Sequence, residues 1–141
     1  MFTFGREHEK ACALRYVRGE KNIRLVENLM DSIHDFLEGN SSQTELLAVL
    51  EDAFVTGGSG AWEQAANWLR RLSTDFPDLN QLWLELAKHS LSKVRFRAAC
   101  CLPDMSPDFA AKASALLLND ASIKVREMAA GKQVLLNLPA A

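Results

Sequence analysis

Lys93-Val94-Arg95-Phe96-Arg97-Ala98-Ala99 and Lys124-Val125-Arg126-Glu127-Met128-Ala129-Ala130 carry one pattern twice: Lys-Val-Arg, two free positions, then paired alanines, at a shift of 31 residues. Leu86 and Leu117 match at the same shift. Each copy spans two helical stretches, and a period near 30–45 residues built from helix pairs signals stacked repeats. The valine fills the seam between helices, the alanine pair lets neighbouring helices approach closely, and the arginine stem can cover apolar surface. One such repeat cannot bury its own apolar face alone.

Outward from this core of similarity, apolar residues recur at three and four and strand-like alternation is absent, which predicts eight helices. The first runs from about Thr3 to Arg18 and stops at Gly19. The second runs from about Asn22 to Leu37 on the stripe Ile23, Val26, Met30, Ile33 and Leu37. Ser42 with Glu45 forms a capping box for the third, whose stripe is Leu46, Leu47, Leu50, Ala53 and Phe54. Gly57-Gly58-Ser59-Gly60 breaks the chain before a fourth helix from Ala61 to about Ser73. Asp78 with Gln81 reads as a second capping box, opening a fifth helix on Leu79, Leu82, Trp83 and Leu86. The sixth starts after Ser92 and stops before Pro103. Ser106-Pro107 opens the seventh, Ser122 caps the eighth, and Pro139 ends any continuation.

The doubled pattern resembles the HEAT-repeat family, in which the second helix of each pair opens with Asp, then Val-Arg, then paired small residues. Asp120, Val125, Arg126, Ala129 and Ala130 fit; the earlier copy keeps Val94, Arg95, Ala98 and Ala99 but has His89 in place of the acid. The resemblance covers about residues 79–137, and only Trp62 and Ala66 loosely echo Val94 and Ala98 upstream. It implies an all-α fold of about eight helices as antiparallel pairs in a short right-handed solenoid, one domain over residues 1–141.

Composition agrees with a folded, non-membrane chain. The sequence has 141 residues, 48% hydrophobic and 24% charged, so neither a disordered nor a membrane composition applies. The N-terminus turns charged at Arg6-Glu7 and lacks the basic start and apolar run of a secretory signal. The most apolar stretch, Phe109 to Leu118, is interrupted by Lys112 and falls short of the roughly 20 residues a membrane helix needs. Cys12, Cys100 and Cys101 are odd in number and two are adjacent, which suits free thiols in a reducing cytoplasm. The net charge of −2 hides a polarity: residues 1–80 carry 13 acidic and 8 basic side chains, residues 81–141 carry 5 and 8. Such asymmetry bears on partners.

No catalytic constellation emerges. His8-Glu9-Lys10-Ala11-Cys12 approaches the zinc-protease motif but ends in cysteine and lacks a third ligand. Gly57-Gly58-Ser59-Gly60 lacks the Gly-Lys-Ser/Thr ending of a phosphate loop and reads as a turn. Cys100 reads as a buried structural thiol, and His34 and His89 stand at no spacing that defines a catalytic pair. The expectation is therefore a non-enzyme without cofactor or metal.

Two charged features remain. On the second helix Glu27, Asp31, Asp35 and Glu38, spaced four, four and three, project opposite the apolar stripe. Like charges at that spacing cost about 0.2–0.5 kcal/mol per pair, offset in part by Lys21 and Arg24. They read either as a solvated face or as a docking stripe for a basic protein. Lys93, Arg95, Arg97, Lys124, Arg126 and Lys132 sit on second helices, with Arg95 and Arg126 assigned to packing and Arg97 to binding. Trp62 and Trp83 fall on apolar stripes, whereas Trp68 is a candidate exposed anchor.

Small acidic helical chains without catalytic residues look like bacterial immunity proteins, some of them HEAT-like, which neutralise toxin domains. That resemblance implies a protein partner, such as a basic nuclease toxin, and no membrane. An adaptor or scaffold is the alternative. A relative of the HEAT-like DNA glycosylases is a further one, opposed by the acidic net charge.

Overall fold

The computed structural model describes residues 5–136, with side chains through Gln133. Among the described residues the chain is all-α: α1 (Arg6–Leu14), α2 (Glu20–Leu37), α3 (Gln43–Thr56), α4 (Ala61–Asp75), α5 (Gln81–Ala87), α6 (Ser92–Cys100), α7 (Pro107–Leu117) and α8 (Ile123–Leu136), with short 3-10 turns at Pro77–Asn80 and Leu102–Asp104. None of these helices is long and apolar enough to cross a membrane. The expected start at Thr3 and stop at Pro139 lie outside the described residues. The chain divides into two compact units, Met1–Leu69 and Arg70–Ala141.

In the first unit α2 packs against both α1 and α3. Its buried face is Val26, Leu29, Met30 and Ile33. Ile23, expected on that stripe, is 36% exposed in the first turn of α2, and Leu29 joins the buried face. Ser42 caps α3 as expected, its Oγ accepting the Glu45 N–H at 3.1 Å. Phe54 meets Trp62 edge to face, with ring centroids 5.6 Å apart.

The Gly57–Gly60 turn has a steric cause. A Cβ on Gly57 would lie 2.3 Å from the Ala53 carbonyl oxygen and 2.9 Å from the Ala61 Cβ, so only glycine lets α4 begin that close to the end of α3. Asn22 of α2 ties the turn down, its Oδ1 accepting the Gly58 N–H at 2.8 Å while its amide donates to the Arg18 carbonyl at 3.0 Å.

In the second unit α5 packs on α6 and α7, and α6 on α7 and α8. Trp83, Leu82, Leu86, Val94, Ala98, Ala99, Ala113, Leu117, Val125 and Ala129 are buried, so both Val and both leading alanines of the doubled pattern face inward as the spacing predicts. The capping box expected at Asp78 does not form. Pro77 starts a 3-10 turn that carries the chain to Asn80, and α5 opens at Gln81 with no side-chain cap. Proline at the first helical position favours such a tight turn because its φ is already set.

Trp68 is 2% exposed and belongs to the core, which removes it as a surface anchor. It lies on the α4 face formed by Ala61, Ala65, Trp68, Leu69 and Leu72, all buried at helical spacing. Of the adjacent cysteines, Cys101 is the buried one and Cys100 is half-buried, the reverse of the reading that placed Cys100 in the core.

Candidate functional site

Each copy of the doubled pattern closes its loop with hydrogen bonds that recur at the sequence shift. The Arg95 Nη1 donates to the His89 carbonyl at 2.8 Å, and the Arg126 Nη1 donates to the Asp120 carbonyl at 2.7 Å, each reaching six residues back across its loop. Within the same loops His89 Nδ1 accepts the Leu91 N–H at 3.0 Å, and Asp120 Oδ1 accepts the Ser122 N–H at 2.8 Å. The imidazole thus supplies the loop acceptor that a carboxylate supplies in the second copy. Asp120 does more: it takes Arg95 through two atoms, Nε to Oδ2 at 2.7 Å and Nη2 to Oδ1 at 3.2 Å. That fork joins one copy to the next.

Asp120 is pushed up by burial, but hydrogen bonds from Arg95 and Ser122 and the charges of Arg95 and Arg126 outweigh this and hold its carboxyl below the usual range. Arg95 and Arg126 are therefore structural residues, as the packing reading has it. Arg97, assigned to binding, is half-buried and not a free cation.

The acidic stripe on α2 is where the structure adds most. Arg6 and Lys10 on α1 lie over it: Arg6 Nη2 is 3.2 Å from Asp31 Oδ1, its Nη1 is 3.3 Å from Asp35 Oδ1 and 3.8 Å from Glu38 Oε2, and Lys10 Nζ is 3.0 Å from Asp31 Oδ1. These two, rather than Lys21 and Arg24, relieve the repulsion between neighbouring carboxylates. Burial raises the Asp31 carboxyl, yet hydrogen bonds and charge from Lys10 and Arg6 take it below its ordinary value. Arg6 and Lys10 are correspondingly raised, first by their hydrogen bonds to Asp31. Beneath them His34 is buried, and desolvation, then the Arg6 charge, keeps its pKa low.

Glu7 and Glu27 lie near enough to act on the Lys10 charge, and Glu9 on that of His34. Arg6 and Lys10 are thus surrounded by six carboxylates, Glu7, Glu9, Glu27, Asp31, Asp35 and Glu38, and with Arg24 two turns before Asp31 on the same side of α2 the local excess is three negative charges. Sequence spacing found the four acids along α2 but not their partners, which stand 21 to 32 residues away and signal nothing within one helix.

His8 Nε2 and Cys12 Sγ are 3.5 Å apart on the exposed side of α1. Among the described residues no three His, Cys, Asp or Glu come close enough to hold a metal ion. The half-buried Cys100 thiol is pushed up by desolvation, against the pull of Lys132, and so is a poor nucleophile. No protein-family model matches this chain, and neither a curated protein nor a solved structure matches it.

Proposed function

We propose that the chain is a non-catalytic protein-binding module, HEAT-like in its repeats, whose α1–α2 face docks a basic partner in the way an immunity protein holds a toxin domain. The carrying observation is the residual charge of that face: after Arg6 and Lys10 are paired, carboxylates remain in excess along α1 and α2. Such a surface speeds and orients association with a basic protein more than it adds raw affinity. A basic nuclease domain, whose substrate-binding surface is cationic, is the partner class this charge fits.

The test is to use the full chain as bait, identify the captured protein by mass spectrometry, and measure its affinity against salt. Replacing Glu7, Glu27, Asp35 and Glu38 with their amides removes the excess charge while leaving the Asp31 hub. The complex should weaken and lose most of its salt dependence, and a captured nuclease should be inhibited by the unaltered chain only. Equal affinity of the neutralised chain across salt concentrations rejects this docking face.

A second reading, as an adaptor joining two partners, draws support from the opposite charges of the two units. Residues 1–69 carry 11 acidic and 6 basic side chains, −5, and residues 70–141 carry 7 and 10, +3. The DNA-repair reading finds support only in that +3.

A further inference from the structure

α6 and α8 lie side by side, and between them runs a groove of two adjoining depressions, of about 430 and 350 Å³, that share Phe96 and Lys124. Its remaining wall includes Lys93, Met128, Gly131 and Lys132. None of the three lysines makes an ion pair with a carboxylate among the described residues, although the Lys132 charge acts on Asp104, and Phe96 and Met128 are only half-buried. Leu91 and Ile123, 48% and 60% exposed, stand at the starts of the same two helices. The groove is thus apolar along its floor and cationic along its rim.

Gly131 adds an independent observation. It lies inside α8, where glycine costs about 1 kcal/mol relative to alanine. No described atom lies within 4 Å of where its Cβ would be, so nothing in the described chain requires its absence. A helical glycine that packs against no described residue, in the wall of a groove, leaves room for another backbone to approach closely.

We infer that the α6–α8 groove binds an acidic protein segment, with carboxylates meeting Lys93, Lys124 and Lys132 and an apolar side chain seated on Phe96 and Met128. Charge complementarity identifies the occupant. Three unpaired lysines call for anions, and the Phe96–Met128 floor calls for an apolar anchor that a phosphate backbone lacks. Glu127 in the same wall reduces the surplus to two positive charges, which suits a segment with few carboxylates better than a polyphosphate. Nucleic-acid binding draws most of its affinity from many phosphate contacts, more than three lysines beside a carboxylate provide. The first turns of α6 and α8 open into the groove at Ser92, Lys93 and Lys124, and their dipoles add to the same preference. This site is built from residues of the second unit alone and does not rest on the reading of the α1–α2 face.

The experiment is fluorescence anisotropy of the full chain with a short labelled peptide of alternating Glu and Leu at low salt. Controls are an alternating Glu-Ser peptide, an alternating Lys-Leu peptide and a single-stranded oligonucleotide. The Glu-Leu peptide should bind, the Glu-Ser and Lys-Leu peptides should bind at least tenfold more weakly, and Lys93→Glu with Lys124→Glu should weaken the Glu-Leu complex by about tenfold or more, a loss of about 1.4 kcal/mol. Gly131→Ala should also weaken it, with a melting temperature equal to or above that of the parent, which separates groove from fold. The inference is overturned if the Glu-Leu peptide does not bind the parent chain, if the charge-reversed or Gly131→Ala chain binds it equally, or if the oligonucleotide binds more tightly. Self-association of the parent abolished by Lys93→Glu and Lys124→Glu also overturns it, by giving the groove to a second copy.

Discussion

Truncating Asp120 removes three hydrogen bonds at once: two from Arg95, at 2.7 and 3.2 Å, and one from the Ser122 N–H at 2.8 Å. The side chains of Asp120 and Arg95 are 7% and 18% exposed, so water cannot replace these bonds freely. Hydrogen bonds to charged groups contribute about 1.5–3 kcal/mol each, and breaking a buried pair costs about 3–5. The orphaned Arg95 keeps its bonds to the His89 and Ser90 carbonyls, which places the loss at the lower end. Asp120→Ala should therefore destabilise the chain by about 3 kcal/mol. Asp120→Asn, which retains an acceptor for Ser122 but loses the charge, should cost about half of that. Urea titration followed by circular dichroism measures both, and a double-mutant cycle with Arg95→Met should give a coupling of about 1.5–3 kcal/mol. Because the folded Asp120 carboxyl is held below its unfolded value of about 3.9, its stabilisation is whole above that pH and lost as pH falls through the lower, folded value. The Asn variant should flatten that acid limb. A loss within about 0.5 kcal/mol of zero for Asp120→Ala, the ordinary range for a surface change, or a vanishing coupling, refutes the fork as the joint between repeats.

Four further outcomes follow from geometry already described. His89→Asp should leave urea stability within about 0.5 kcal/mol, since a carboxylate can accept the Leu91 N–H, whereas His89→Ala should lose about 1. Gly57→Ala should cost about 3 kcal/mol or more in the same titration, because its Cβ meets backbone at 2.3 Å and neither helix end can yield cheaply. Ser114 is 3% exposed with no partner for its hydroxyl among the described atoms, so Ser114→Ala should raise stability by about 1 kcal/mol. Alkylation with iodoacetamide near neutral pH, read by mass spectrometry, should modify exposed Cys12 first, Cys100 slowly because burial disfavours its thiolate, and Cys101 only on unfolding.

The helices were legible because their apolar periods are strong and their breakers sit at the joints. Gly57, Pro103 and Pro107 each stop or start a helix for a reason that acts within a few residues. The doubled pattern at residues 93–99 and 124–130 also predicted the burial of Val94, Val125, Ala98 and Ala129, whereas Ala130, the counterpart of buried Ala99, is exposed. What sequence did not reveal acts across helices. Nothing in α1 announces that Arg6 reaches Asp31, and nothing around Trp68 separates an exposed tryptophan from a core one, because alanines at 61 and 65 weaken the apolar period that includes it. His89 looked like a gap in the repeat. Only the geometry shows that its ring accepts the same backbone hydrogen that the Asp120 carboxylate accepts.

The net charge of each unit overstates what a partner meets, because part of it is consumed in holding the fold. In residues 1–69 two cations are committed to the carboxylates of α2, and the surplus that remains is negative. In residues 70–141 Asp120 is committed to Arg95, and the charges along the α6–α8 groove are three lysines against one carboxylate, Glu127. A binding site that depends on residual charge has a recognisable response: neutralising a committed group lowers stability, while neutralising a surplus group lowers only affinity and its salt dependence. Asp31, Arg95 and Asp120 belong to the first kind. Glu27, Lys93 and Lys124 belong to the second, and substitutions at these six positions separate the charges that build this protein from those it offers to partners.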